Sequence, residues 1–259
     1  MIARIARTLG TLRRIAHDRT GLALVEFALA LPLMLTLTLT GAELTNYITV
    51  RMRLSQLALH LADNAARVGV GGPREAKKVY ESDIHDLMDG AQLQAGELDL
   101  YEQGRIIVTS LEPMAGANPN NKARIRWQRC KGTKSYDSPY DDQTTNIDGM
   151  GPSGRQALVQ PDGVTMFVEV YYEYRPLISG DLVPKIEISE IASMMVRERR
   201  DTGGSNDGLY PVNGVTPATC DSTGSGSPPA PSPSPSNPYN DNAAPGVCHT
   251  TGKDGYHCH

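Results

Sequence analysis

Residues 22 to 42, LALVEFALALPLMLTLTLTGA, contain one ionisable side chain, Glu26. About 21 residues make a helix of about 31 Å, the thickness of a bilayer's hydrocarbon core. This run limits the fold more than any other feature, because a helix apolar on every face has no water-facing side. Arg4, Arg7, Arg13, Arg14 and Arg19 precede it and only Asp18 opposes them. Basic residues next to a span mark the cytoplasmic flank, so the rest of the chain is expected on the other side. Nucleic acid is not the expected partner of this cluster, since neither aromatic interleaving nor a binding fold accompanies it. Thr40-Gly41-Ala42 is a weak signal-peptidase site, but the run before it is longer than a signal core and an acid interrupts it. Pro32 removes one backbone donor and is expected to bend the helix.

Glu26 needs a reason, because a carboxylate inside a bilayer is costly without a partner or a task. No cation lies three or four residues away, and Arg19 is two turns back, about 10 Å along the axis. Cleavage after Gly21 supplies one answer. It gives Leu22 a free α-amino group, which the Glu26 of a neighbouring subunit can match.

Gly21-Leu22-Ala23-Leu24-Val25-Glu26-Phe27 resembles the G-xxxx-E-[FY] processing site of prepilins from the tight-adherence (Flp-type) pilus system. The sequence around it is similar to the N-terminal region of TadE-like pseudopilins over about residues 13 to 68, with a weaker echo in VTMFVEVYYEYRPLISGDL. The resemblance implies cleavage after Gly21 by a prepilin peptidase, with Glu26 and Phe27 at the family's glutamate and aromatic positions. It also implies a single-pass protein of the bacterial inner membrane, whose partners are other pilus subunits and the assembly platform. The competing reading is an uncleaved signal anchor with Glu26 near the headgroups.

Beyond the span, Leu44, Tyr47, Val50, Leu54, Leu57, Ala58, Leu61, Ala65 and Val68 recur every three or four residues between polar ones. The helix is therefore expected to continue outward as an amphipathic rod and to end near Gly69. A second helix is expected at 74–89, with His85 half-exposed beside its apolar stripe. Strands are expected at 105–111, 123–130, 164–175 and 186–197. In the third, Val164, Met166, Val168, Val170, Tyr172 and Tyr174 alternate with Thr165, Phe167, Glu169, Tyr171, Glu173 and Arg175, so that one face goes to the core. The predicted fold is α+β and pilin-like: a long N-terminal transmembrane and amphipathic helix packed on a small antiparallel sheet, with a disordered C-terminal tail. Between the second and third strands, a turn-rich segment holds Asp137, Asp141, Asp142 and Asp148. Their spacing does not match a helix-loop-helix calcium site, and a solvated loop is expected.

The chain thus divides into a basic leader (1–21), a span (22–42), an amphipathic extension (43–68), a periplasmic α+β domain (69–200), a Pro/Ser/Gly-rich linker (201–247) and a Cys/His-rich end (248–259). Cys130, Cys220, Cys248 and Cys258 all follow the span and would lie in an oxidising compartment. A Cys248–Cys258 hairpin with Cys130 tethering Cys220 is preferred among three possible pairings. Metal binding by Cys248, His249, His257, Cys258 and His259 is the alternative, although the usual C-x₂₋₄-C spacing is missing. No cofactor is implied. The chain has no G-x-S-x-G, no H-E-x-x-H and no phosphate-binding glycine loop, so a structural assembly protein is expected rather than an enzyme. The rival is a signal-anchored envelope protein that displays a metal-binding or enzyme-tethering C-terminal element.

Overall fold

The computed structural model describes residues 20–220, apart from 73, 142–143, 162, 179–183 and 206, together with 249–250 and 256–257. The expected leader falls outside these residues except at its last two positions, as does the linker from 221 to 247. The chain forms two units, residues 1–224 and 225–259.

Helix α1, Thr20–Arg67, is continuous through Pro32 and about 72 Å long. From Leu22 to Leu39 its large apolar side chains are exposed around the whole circumference. From Val50 onward one stripe is buried: Val50, Leu54, Leu57, Ala58, Leu61, Ala62, Ala65 and Ala66. Small residues at four of these eight positions let the helix axis come close to the sheet beneath. Arg200 caps the far end by donating from Nη2 to the Ala65 carbonyl at 2.5 Å, which satisfies one of the acceptors a helix leaves open at its C-terminus. The chain then turns through Gly69 at φ +120, where a Cβ would lie 2.9 Å from the Lys78 carbonyl oxygen.

The strands are β1 (Lys77–Lys78), β2 (Gly104–Pro113), β3 (Ala123–Lys131), β4 (Thr165–Glu173), β5 (Glu187–Met195) and β6 (Arg200–Asp201). Four of them form an antiparallel sheet in the order β3-β2-β4-β5, and α1 lies across β4 and β5. Met166, Val168, Val170 and Tyr172 of β4 share one core with Ile106, Val108, Trp127 and the buried stripe of α1. The α+β architecture read from the sequence is therefore present, and the four long strands lie within two residues of their expected bounds.

Three expectations are corrected. Helix α2 spans Glu81–Ala95 rather than 74–89. Lys77 and Lys78 instead pair in parallel with Arg200 and Asp201, and the helix starts where the Tyr80 N–H donates to Asp83 Oδ2 at 2.9 Å. The second face of β4 is not solvated. Phe167 packs with Leu111, Ile125, Met150 and Val159, so the segment between β3 and β4, expected as a solvated loop, covers the sheet. Residues 201–220 do not begin a linker. Leu209 is buried, Tyr210 bridges Tyr80, and the folded part runs on to Cys220. Two short helices, Gly96–Leu98 (3₁₀) and α3, Leu100–Gln103, connect α2 to β2.

Candidate functional site: the rod, its processing motif and its joint with the head

The exposed half of α1 begins with the expected processing motif. Gly21 lies in the first turn, and a Cβ there would meet nothing within 4 Å; the fold itself does not require glycine at this position. Leu22, Glu26 and Phe27 are all exposed. Within this half the threonine hydroxyls bond back to the helix itself. Thr36 donates to the Leu33 carbonyl at 2.9 Å, Thr38 to Met34 at 2.9 Å and Thr40 to Thr36 at 2.7 Å. Hydroxyls bonded back to their own helix suit a lipid environment, where an unsatisfied donor is costly. This helix is long and apolar enough to cross a membrane, and none of its apolar window is buried in the protein.

Where the apolar run ends, α1 is fastened to the head. Glu43 accepts a hydrogen bond from Tyr174 Oη at 2.6 Å and from the N–H groups of Leu177 and Ile178 at 2.9 and 3.2 Å. The Tyr174 bond holds the Glu43 carboxyl below the ordinary carboxylate range, with partial burial opposing and the two backbone donors assisting. Burial, and then the Glu43 contact, push the Tyr174 phenol up to about 12, which keeps it a donor. Asn46 Nδ2 donates to the same phenol at 2.8 Å, and the Tyr47 ring meets the Tyr174 ring edge-on at 5.4 Å. One turn later Arg51 pairs with Glu190 of β5 at 2.9 Å. Sequence reasoning missed this joint. Its signal is that Glu43 is the first acid after the run and sits one turn before Tyr47.

Within the head, Arg129 joins Glu81, the first residue of α2, to Asp207 of the returning segment. Its Nε lies 3.1 and 3.2 Å from the two Glu81 oxygens, and its Nη2 lies 2.5 Å from Asp207 Oδ2. Cys130 and Cys220 are bonded to one another. Beside them is a small cavity of about 190 Å³, lined in part by Arg105, Gln128, Tyr136 and Tyr140. Arg105 Nη2 donates to the Cys220 carbonyl at 2.7 Å. Glu169 is buried on this outer face, where Ser138 Oγ donates to it at 2.6 Å, and desolvation raises its pKa. Of the aspartates in the covering segment, Asp148 pairs with Lys122 at 2.6 Å. His85 is half-buried and its Nε2 lies 2.9 Å from the Thr216 carbonyl oxygen.

In the C-terminal unit, β7 (His249–Thr250) and β8 (Tyr256–His257) pair antiparallel with His249 opposite His257. Cys248, Cys258 and His259 lie outside the described residues.

These features define a class: an α+β protein whose one long helix is apolar enough to cross a membrane at one end and packs on a sheet at the other. Residues 21–70 match the family model described as TadE-like protein. The match begins at Gly21, spans both halves of α1, and stops before the sheet. The resemblance drawn from the motif therefore holds over this segment. No curated protein and no solved structure matches the chain.

Proposed function

We propose that the chain is a minor pseudopilin that initiates or assembles a tight-adherence type IV pilus. A prepilin peptidase cuts it after Gly21, and it is held in the bacterial inner membrane with the head in the periplasm. The observation that carries this reading is the coincidence of two boundaries. The family match starts at the glycine of the processing motif, and the helix that follows is wholly exposed before it becomes a core helix. Because the glycine has no structural task in the fold, recognition by a peptidase accounts for it. The orientation follows from the arginine-rich flank. The Cys130–Cys220 bond belongs to the same reading, since disulfides persist in an oxidising compartment.

In this reading Glu26 meets the new Leu22 amine of a neighbouring subunit inside the assembly. Glu26→Gln keeps the size and removes the charge. It should insert and be cut as the parent is, yet fail to co-purify with the other pilus subunits, because an amine is left unpaired in a low-dielectric contact. Normal co-purification at equal membrane level would remove the amine-matching role. A Gly21→Val chain that is still shortened at the same bond would remove the peptidase from the account and favour a plain signal anchor.

A further inference from the structure

The base of the head has an unusual surface for something said to stand in water. Outside the span, the two most exposed large apolar side chains among the described residues are Leu93, 83% exposed, and Leu177, 67% exposed. Leu177 lies at the end of the head where α1 leaves its apolar run, and Leu93 lies in the helix whose following turns lead there. Leu177 is placed there by its own backbone. Its N–H and that of Ile178 donate to Glu43, and Glu43 is the first residue beyond the run. One residue of helix rise is about 1.5 Å, so the Leu177 backbone sits within one side-chain length of the boundary. Leu93 belongs to the last turns of α2, and the turns after it lead to Asp99, whose Oδ2 is 3.4 Å from Arg175 Nη1. Arg175, Pro176, Leu177 and Ile178 are consecutive. Arg175 is exposed, as is Lys185 on the return to β5.

We propose that this base rests on the phospholipid surface: Leu177 inserts at the boundary between headgroups and acyl chains, Leu93 lies beside it, and Arg175 and Lys185 face anionic headgroups. This inference rests on reading residues 22–42 as a membrane span. It adds a second, independent membrane contact. A single helix fixes the height of the head but leaves its tilt free; a lipid contact to one side of the helix fixes the tilt as well. An exposed apolar side chain with basic residues to either side in sequence, as Leu177 has in Arg175 and Lys185, is the pattern expected at an anionic interface. The Glu43 clasp holds the loop at the required depth, so insertion needs no rearrangement of the head.

The test uses the full chain in nanodiscs of phosphatidylethanolamine and phosphatidylglycerol, with and without acyl chains brominated both near the headgroup, at the depth of Leu177, and near the methyl end, at the depth of Leu33. The native Trp127 is buried against the helix side of the sheet and provides a constant background. Three separate variants add one indole each: Leu33→Trp inside the span, Leu177→Trp at the base, and Leu158→Trp on an exposed segment that Thr165 ties to the far end of the sheet. The proposal expects Leu33→Trp and Leu177→Trp to lose most of the added emission to bromine, Leu177→Trp to emit to the blue of Leu158→Trp, and Leu158→Trp to be unquenched. Quenching at Leu33→Trp without quenching at Leu177→Trp overturns the proposal and leaves the span intact. Equal quenching at Leu158→Trp and Leu177→Trp also overturns it, because the whole head would then lie on lipid. An unquenched Leu33→Trp removes the span and this inference with it.

Discussion

The two halves of α1 are one helix in two surroundings. Residues 22–39 expose apolar side chains all round, whereas residues 50–66 bury one stripe against the sheet. The first half satisfies its own hydroxyls through Thr36, Thr38 and Thr40. The second half depends on the head: Arg51 pairs with Glu190, and Arg200 caps the Ala65 carbonyl. An apolar helix face is stable only when something other than water covers it; the head covers the stripe of residues 50–66, and a bilayer is the cover proposed for residues 22–42. The same helical geometry thus joins a segment long and apolar enough to cross a membrane to a folded head.

Removing support from the head should separate the halves most sharply. Cys130 and Cys220 are 90 residues apart in sequence, and a loop of that size makes a disulfide worth about 4–5 kcal/mol. Cys130→Ser, or reduction, should lower head stability by about that amount. It should speed amide exchange in residues 50–66 and leave the exchange of membrane-held residues 22–42 unchanged. Next is the buried cation. Arg129→Ala leaves Glu81 unpaired in the interior and should cost about 3–5 kcal/mol in denaturant melts, whereas Arg129→Met should recover much of that loss only if Glu81 is also made apolar.

A matched pair of substitutions tests the comparison within the helix itself. Leu54→Ala, at a fully buried position, should cost about 2–5 kcal/mol of head stability, and Leu35→Ala, at an exposed one, should leave the head's melting unchanged. Equal effects would mean that the halves do not differ as described. The smallest effect is expected at the joint. The folded pKa of Glu43 is lowered, so its stabilising contribution is present above the ordinary carboxylate pKa and lost as pH falls through the lowered value. Glu43→Gln should therefore weaken the head modestly at neutral pH, and the difference from the parent should vanish in acid.

Most of the fold was legible because periodicity is local. The apolar period along α1 and the alternation in β4 are written in adjacent residues. What was not legible depends on distant partners. The start of α2 is set partly by Glu81 reaching Arg129 and by the Glu81 N–H donating to the Tyr210 carbonyl at 3.0 Å, neither visible near residue 81. The segment between β3 and β4 reads as turns, yet Met150 and Val159 fill the second face of the sheet. Residues 201–220 have a linker's composition, and what holds them to the head lies far away in sequence: Arg129 for Asp207, the core for Leu209, Tyr80 for Tyr210 and Cys130 for Cys220. Of the candidate site, the Gly21-to-Phe27 pattern, on which the match to the TadE-like model begins, was legible as a short run. The Glu43–Tyr174 joint was not, because its members are 131 residues apart.

The most direct test of the central claim is the N-terminal mass of the protein isolated from membranes of cells with an active pilus system. The account predicts a chain that begins at Leu22, at the bond where the match to the TadE-like model starts. A chain that retains Met1 or Ile2 under those conditions contradicts it.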